Sequence, residues 1–201
     1  MGMVVGLTML GDHNIERLLS DPPLVWKIAA PDDPDLYDQA RREANPTSPW
    51  SRLFGKAPVQ TPEIALVLTG QEGTSADLDK SWHGLHYLMT GSADAADMPL
   101  SFLVSGGRDV GDIEVGYGPA RVFTAQETAS ILTAINAWTD DRLHARFNAA
   151  EMMRLEIYPE IWDRDPSGGE PLNYLVEYAG TLRAFLHQAV DLRLGLVVTL
   201  T

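Results

Sequence analysis

The chain of 201 residues contains no cysteine. This absence excludes disulfides, thiolate nucleophiles, iron–sulfur clusters and zinc sites built from cysteine. The chain also lacks an apolar run of about 18 residues, the length that a transmembrane helix needs. Its first thirty residues include Asp12, Glu16 and Asp21, where a secretory signal peptide needs a basic start and an apolar segment. We therefore expect a cytoplasmic protein with no membrane partner.

Basic residues are scarce as well. Fifteen lysines and arginines stand against 28 aspartates and glutamates, which gives a formal net charge of −13. A surface with this excess of carboxylates repels the phosphates of nucleic acids and of anionic lipids. We expect no nucleic-acid partner. The charge favours another protein, in particular a basic one, and the sequence leaves the oligomeric state open.

Sequence signatures of catalysis are also missing. The glycine-rich stretches Gly106-Gly107 and Gly116 to Gly118 lack both the GxGxxG spacing and the GK[ST] ending of a P-loop. The GxSxG motif of serine hydrolases does not occur. The sequence thus predicts no cofactor and identifies no catalytic residue, so an enzyme is not our first expectation.

The composition is that of a globular protein, with 45% hydrophobic and 21% charged residues. We predict one compact α+β domain over residues 1–201, in which several helices pack on a small central β-sheet. Apolar runs at residues 4–10 and 196–200 predict terminal strands that pair in this sheet. Prolines interrupt residues 22–73, which we interpret as an irregular excursion packed on the core.

Other elements follow from apolar spacing and from residues that start or end helices. Asp12 is expected to cap the first helix, and Thr124 with Glu127 forms a capping box before another. We predict a strand at 113–115. The first predicted helix is short, follows Asp12 and ends at Asp21-Pro22-Pro23. The other predicted helices cover residues 36–44, 99–104, 125–138, 140–153 and 172–190.

The most regular pattern lies between Asp77 and Gly91, around which we expect the fold to be organised. Spacings of three and four residues place four apolar side chains in one buried stripe of a helix: Leu78, Trp82, Leu85 and Met89. Asp77 or Asp79 would cap the start, and Gly91 would supply the left-handed residue at the end.

The same helical wheel separates two histidines. Lys80, His83 and Tyr87 fall opposite the apolar stripe, where we expect contact with water. His86 falls at the edge of the stripe, where we expect contact with the core. The two imidazoles should therefore have different surroundings.

Several words of the sequence resemble one family. These are DLDKSW (residues 77–82), LMTG (88–91), GYGPAR (116–121) and IYPEIW (157–162), together with the opening Met-Gly-Met. In combination they are similar to the YfbM-like family of small bacterial proteins, whose function is unknown. The resemblance covers most of the chain and is weakest over residues 22–62. It implies a compact α+β domain from a bacterium and assigns no catalytic residue.

The histidine pair is the first candidate site. His83 and His86 form an HxxH spacing that could reach one metal ion, but no third ligand stands at a fixed distance, so we predict no metal. His86 could act as a general base with a shifted pKa. The alternative, which we favour, is a core histidine hydrogen-bonded to a carbonyl group.

Binding candidates are the second group. Arg121 follows a turn fixed by two glycines and a proline, and it could bind an anion through two hydrogen bonds or form a structural salt bridge. Lys80 could hold a carboxylate or be a solvated surface charge. Trp82, Tyr117 and Tyr158 could line a pocket or serve as core anchors.

Two functional classes remain. One is a non-catalytic binding module with an acidic surface. The other is a small enzyme with a pocket near His86, Arg121 and Tyr117. Convergence of these side chains on one water-accessible site would favour the enzyme, and their dispersal through the core would favour the module.

Overall fold

Five strands form one sheet at the centre of the protein in the computed structural model, which describes residues 2–44, 65–165, 167 and 169–201. The spatial order is β2-β1-β5-β4-β3, and every neighbouring pair is antiparallel. The strands are β1 Val5–Leu10, β2 Ser75–Asp77, β3 Arg108–Glu114, β4 Pro119–Phe123 and β5 Gly195–Leu200.

The first and last strands are neighbours inside this sheet. β1 and β5 pair along their whole length, from Val5 opposite Leu200 to Leu10 opposite Gly195. The predicted pairing of the two terminal strands is confirmed. β2 and β3 form the two edges.

Eight α-helices accompany the sheet in the described part of the chain, which confirms the α+β class and the single compact domain. They are α1 Asp12–Ser20, α2 Trp26–Ala29, α3 Pro34–Ala44, α4 Trp82–Thr90, α5 Ala125–Asn136, α6 Asp140–Arg146, α7 Ala149–Arg154 and α8 Gly169–Asp191. Short 3₁₀ helices at Pro22–Val25 and Asp79–Ser81 precede α2 and α4.

Side chains alternate between the two faces of each strand and so divide the core in two. On one face, Leu7 of β1 and Val198 of β5 are buried with side chains of α4, α5 and α8. On the other face, Val122 of β4 and Val197 of β5 are buried with side chains of α1 and the Pro22–Val25 turn. Helix α4 therefore lies on the larger of the two clusters.

The starts of two predicted helices differ in outcome. The capping box of α5 is confirmed, because the Thr124 hydroxyl accepts a hydrogen bond from Glu127 N while the Glu127 carboxylate accepts one from Thr124 N. Asp12 is not the cap of α1, since Gly11 holds that position. The Asp12 carboxylate instead accepts a hydrogen bond from Ala125 N at 2.8 Å, which joins the starts of α1 and α5.

Three other predictions need correction. Residues 99–104 form hydrogen-bonded turns rather than a helix. The helix predicted over 140–153 is two helices, because Phe147 is extended and Asn148 caps α7 through a bond from Glu151 N. The strand predicted at 113–115 is the end of the longer β3.

The structure describes residues 22–44 and 65–73 of the excursion predicted at residues 22–73. Its described first part contains the Pro22–Val25 turn, α2 and α3, and the helix predicted at 36–44 is present within α3. Residues 65–69 have no regular secondary structure. Residues 45–64 of the predicted excursion lie outside the described residues.

Candidate functional site

Helix α4 carries the apolar stripe that the sequence predicts. All four of its side chains are buried: Leu78, Trp82, Leu85 and Met89. The α-helix itself begins at Trp82, so Leu78 precedes it. The Asp77 carboxylate accepts a hydrogen bond from Asp79 N, one turn before α4. Gly91 ends α4 with a φ of 77°, the left-handed residue that was expected.

Trp82 connects α4 to two other parts of the chain. Its indole nitrogen donates a hydrogen bond to the carbonyl oxygen of Met3 at 3.2 Å. Its ring stacks on His83, with centroids 4.9 Å apart, and on Tyr158 at 6.0 Å. Only 7% of Trp82 is exposed. Trp82 is therefore a core anchor that also contributes an edge to the surface.

His83 does not lie on a solvated face, contrary to our expectation. It is half-buried, and Tyr158 N donates a hydrogen bond to its Nδ1 at 3.0 Å. Its other nitrogen, Nε2, must then carry the proton that is donated to the carbonyl oxygen of Ala93 at 2.8 Å. The prediction also fails for Tyr87, which is buried and donates to the Glu151 carboxylate. Burial, and then Glu151, raise the pKa of Tyr87 to about 12.

His86 is the core histidine that we favoured. It is fully buried, and its Nε2 lies 2.8 Å from the carbonyl oxygen of Asp94, which can only accept a hydrogen bond. Its Nδ1 is buried and has no hydrogen-bond partner among the described residues. Because His83 and His86 bond to successive carbonyl groups, the two imidazoles together hold the loop after α4. We call this arrangement the histidine layer: His83, His86, Ala93 and Asp94.

Both imidazoles of the histidine layer are held in the neutral form. Burial lowers the pKa of His83, against the opposing effects of the Ala93 carbonyl and the Asp94 carboxylate. Burial lowers the pKa of His86 in the same way, and the neighbouring His83 lowers it further. A neutral imidazole matches the hydrogen-bond roles of His83, since a second ring proton would face the N–H group of Tyr158.

Arg121 is bound by the main chain rather than by a carboxylate. Its guanidinium donates to the carbonyl oxygens of Phe102, Leu103 and Gly106, at 2.9, 3.0 and 3.1 Å. Burial lowers its pKa, although Asp109 opposes this effect. The structural salt bridge considered from the sequence is absent among the described residues, where the partners of Arg121 are three carbonyl groups. Arg121 therefore fixes the turns at residues 99–107 against β4.

A cleft opens where this turn region faces α4. Its volume is about 310 Å³. Its floor comes from β4 and β5, one wall from Trp82 and the other from the turns. The lining residues are Trp82, Leu103, Val104, Asp109, Tyr117, Gly118, Pro119, Arg121, Val198 and Leu200. Three of the predicted candidates, Trp82, Tyr117 and Arg121, thus meet at one place.

The mouth of the cleft combines an aromatic ring with carboxylates. Tyr117 is 58% exposed, the largest fraction among the large hydrophobic side chains of the described residues. Asp109 is exposed and stands opposite Arg121 in the register of β3 and β4. Glu114 is also exposed and stands opposite Pro119, another lining residue. The open edge of the cleft is therefore acidic.

The remaining candidates lie outside the cleft lining. The hydroxyl of Tyr158 accepts a hydrogen bond from Met3 N at 2.9 Å. Lys80 is exposed. Its side chain lies next to Gly2, because a Cβ added to Gly2 would be 2.5 Å from the Cε of Lys80. Lys80 and Tyr158 therefore gather around the start of the chain, and His86 is sealed in the histidine layer.

Sequence reasoning missed two carboxylates. One is Asp109, which lies opposite Arg121. The sequence would have indicated this position only if the pairing of β3 with β4 had been predicted.

The other is Glu72, which is buried and whose carboxylate accepts hydrogen bonds from Gly11 N, Thr69 N and Asn14 Nδ2. Burial raises the pKa of Glu72, but these hydrogen bonds outweigh it and hold the pKa below its usual value. Glu72 joins its loop to the start of α1, and no local pattern indicates this.

Within the described ranges there is no cluster of three or more histidines, aspartates or glutamates that could hold a metal ion. The HxxH pair is used differently, because both Nε2 atoms donate to carbonyl groups. Among the helices of the same ranges, none has the length and apolar character to cross a membrane.

Comparisons with known proteins place the chain in a family. A search of curated proteins found no match. The fold is similar to the crystal structure of YfbM from Escherichia coli, a protein of unknown function, with a TM-score of 0.63, 16% sequence identity and coverage of 98% of this chain and 99% of that one. A family model described as a domain of unknown function, DUF1877, matches residues 1–199, and together with the shared fold it confirms the resemblance seen in the sequence. The chain belongs to that family.

Proposed function

We propose that this protein is a non-catalytic binding module whose acidic surface recognises a basic protein. The observation that carries the proposal is that the polar groups suited to catalysis are held by the fold. His86 is buried and bonded to the Asp94 carbonyl group, and Arg121 is bonded to three carbonyl groups. A general base must come within hydrogen-bond reach of its substrate, which a sealed imidazole cannot do.

The distribution of carboxylates supports the second half of the proposal. The net charge is −13. Asp109, Asp112 and Glu114 are exposed on the edge strand β3. Complementary charge accelerates the encounter of two proteins and disfavours partners of the same sign. A basic protein is therefore the partner that this surface suits.

A small enzyme is the second candidate, and one observation favours it. Trp82, Tyr117 and Arg121 line the same cleft. The cleft contains a cation and a phenol, but among the described residues its lining supplies only Asp109 as a carboxylate and no histidine. A reaction there would have to use Asp109 as its base, beside a guanidinium that already uses three of its five N–H donors to hold a loop.

An affinity capture tests the two candidates together. The purified protein is the bait in a cytoplasmic extract, the compartment that the sequence predicts, and an unrelated protein of similar net charge is the control bait. We expect a basic protein that binds this bait and not the control, and that binds again when both partners are pure. A small molecule recovered in equal amount with the bait, without such a protein, would favour the enzyme.

The proposal also predicts which polymers do not bind. Binding to duplex DNA is driven largely by cations that displace counterions from the phosphates, and this chain has few of them. We expect no complex with a DNA duplex at micromolar protein concentration and physiological salt in a gel-shift assay. Vesicles of anionic lipid should likewise leave the protein in the supernatant. A salt-sensitive complex with either would contradict the proposed partner class.

A further inference from the structure

The cleft beside Trp82 is small and mostly apolar. Its volume of about 310 Å³ stands at the lower end of the range of roughly 300–1,000 Å³ that is usual for small-molecule pockets. Most of its lining is apolar: Trp82, Leu103, Val104, Pro119, Val198 and Leu200. One apolar side chain of a partner would find suitable contacts on several sides.

Arg121, the cation among the described lining residues, already uses three of its five N–H donors on the main chain. These bonds go to the carbonyl oxygens of Phe102, Leu103 and Gly106, and Asp109 stands across from Arg121. Its guanidinium holds the far wall in place. A rigid wall favours recognition, because less ordering is needed when a partner binds.

Exposed apolar groups lie close to this wall. Tyr117 is 58% exposed at the mouth. Met98 is 43% exposed, and its sulfur lies 2.5 Å from the position that a Cβ on Gly106 would take. Gly106 is one of the residues whose carbonyl group binds Arg121. Two of the large exposed apolar side chains of the described residues therefore flank the same turn region, as is common near interaction sites.

We propose that this cleft receives one apolar side chain from a basic segment of the partner protein. Tyr117 covers the anchor, and Asp109 and Glu114 pair with lysines or arginines on either side of it. This inference rests on the proposed function and specifies its partner. The arrangement is that of an interface with an apolar anchor at the centre and a polar rim.

Charge decides between this occupant and a second copy of the chain. Two copies at −13 each repel one another, and both would bring exposed carboxylates to the same edge. A basic segment instead gains attraction from Asp109 and Glu114 as it approaches. The acidic rim therefore selects against self-association and for a cationic partner.

A display library of random twelve-residue peptides tests the inference on the full-length protein. We expect the enriched peptides to share one aliphatic or aromatic residue flanked by lysines or arginines. A synthetic peptide of the enriched sequence is then titrated, with fluorescence anisotropy as the readout, against the wild type and four variants. Two variants alter the cleft, Tyr117→Ala and Val104→Arg. The other two reverse charges in pairs.

The charge reversals are matched in number and differ in place. Asp109→Lys with Glu114→Lys alters the rim, and Asp141→Lys with Asp191→Lys alters exposed carboxylates of α6 and α8. We expect the dissociation constant to rise by about tenfold or more for Tyr117→Ala, Val104→Arg and the rim pair, as for central interface residues. The distant pair should change it by less than about threefold, through long-range charge alone.

The possible results separate this inference from the proposed function. Enriched peptides without basic residues would overturn the assignment of a basic segment as the occupant. Peptides that bind the Val104→Arg and rim variants as tightly as the wild type would overturn the site, while a basic protein captured from extract would still support the proposed function. Failure of the capture, together with a library that yields no binder, would overturn both. Circular dichroism and a thermal melt establish that each variant is folded before it is titrated.

Discussion

The two sides of Trp82 use their polar groups differently. On one side lies the histidine layer, where each Nε2 donates to a carbonyl group and both rings are neutral. On the other side lies the cleft, where Tyr117 and Asp109 are exposed. The residue types on the histidine side look more like a catalytic site. The residues on the cleft side are the ones that a partner can reach.

This difference shows how a residue type can mislead. An imidazole pair suggests a metal or a base only as long as its nitrogens are free, and here three of the four ring nitrogens have main-chain partners. The fourth, Nδ1 of His86, is buried. Main-chain partners turn reactive groups into parts of the fold, because a buried polar group left without a partner costs about 1–3 kcal/mol.

The largest effect is expected where the two sides meet. Trp82→Ala should lower the free energy of unfolding by about 3–5 kcal/mol, as for other buried tryptophans, because it removes one wall of the cleft and the ring that stacks on His83. Urea denaturation at neutral pH measures the change. Trp138→Ala, at a half-buried tryptophan, should cost clearly less. If the two substitutions lowered the free energy of unfolding equally, Trp82 would contribute no more to stability than a half-buried tryptophan.

The next effect concerns the cleft wall. Arg121→Met should cost about 2–4 kcal/mol, since three carbonyl groups lose a charged donor. Hydrogen exchange of the amides at 101–107 should accelerate more than that of β1. Arg154→Met is the control, because Arg154 is exposed and its ion pair with Glu151 is 3.7 Å long; it should change stability by less than about 0.5 kcal/mol. Unchanged exchange at 101–107 would contradict the role assigned to Arg121.

The histidine layer comes third. His86→Ala leaves the Asp94 carbonyl without its donor and should cost about 1–3 kcal/mol. His83→Ala, at a residue that we expected from the sequence to contact water, should cost a similar amount because Tyr158 N and the Ala93 carbonyl both lose a partner. His187→Ala, at an exposed histidine of α8, is the matched control. Thermal melts measure all three variants. A lower melting temperature for His83→Ala and His86→Ala than for His187→Ala would show that both histidines of the layer support the fold.

The burial of His83 marks the limit of prediction from a helical wheel. The stripe of α4 was predictable because its apolar spacing is regular, but the wheel assumes that only one face is covered. Gly84 lies on another face, and a Cβ there would come within 2.7 Å of Trp162 and Leu175. Helix α4 is thus surrounded on several sides. The small residue between His83 and Leu85 was the one available sign of that close approach.

The errors around the cleft have a related cause. Residues 99–104 have helix-like spacing but form turns, and Arg121 from a strand binds the carbonyl groups of Phe102 and Leu103 there. β4 was missed because it begins with Pro119, which is unusual in a strand, and because its partner β3 is an edge strand with charged residues. Pairings between distant segments decided both outcomes. Trp82, Tyr117 and Arg121 were identified from the sequence, whereas their meeting in one cleft was not.

A smaller effect should appear in the dependence of stability on pH. Folding lowers the pKa values of His83 and His86 below the value of about 6.5 that a histidine has in the unfolded chain. In the pH range between the folded-state and unfolded-state values, the unfolded chain therefore binds more protons than the folded chain. The contribution of the two histidines is therefore complete above about pH 6.5 and declines as the pH falls toward the folded-state values.

Paired substitutions isolate this contribution. His83→Gln with His86→Gln removes the titrating groups while an amide nitrogen can still donate to each carbonyl group. The slope of unfolding free energy against pH between about 5.5 and 6.5 should be shallower in this variant than in the wild type, as measured by urea denaturation. His187→Gln should leave the slope unchanged. An identical slope in all three proteins would contradict the neutral histidine layer.

The smallest effect on stability is expected at Tyr117, where the expected effect on binding is large. Tyr117 is mostly exposed, and its main-chain N–H donates to the Leu200 carbonyl whatever the side chain is. Tyr117→Ala should therefore change the free energy of unfolding by less than about 0.5 kcal/mol, as for most surface substitutions. Leu192→Ala, at another exposed apolar side chain, should behave alike in denaturation. If Tyr117→Ala instead cost as much as Trp82→Ala, the ring would be part of the core, and the cleft would lose the exposed aromatic group that distinguishes it from the histidine layer.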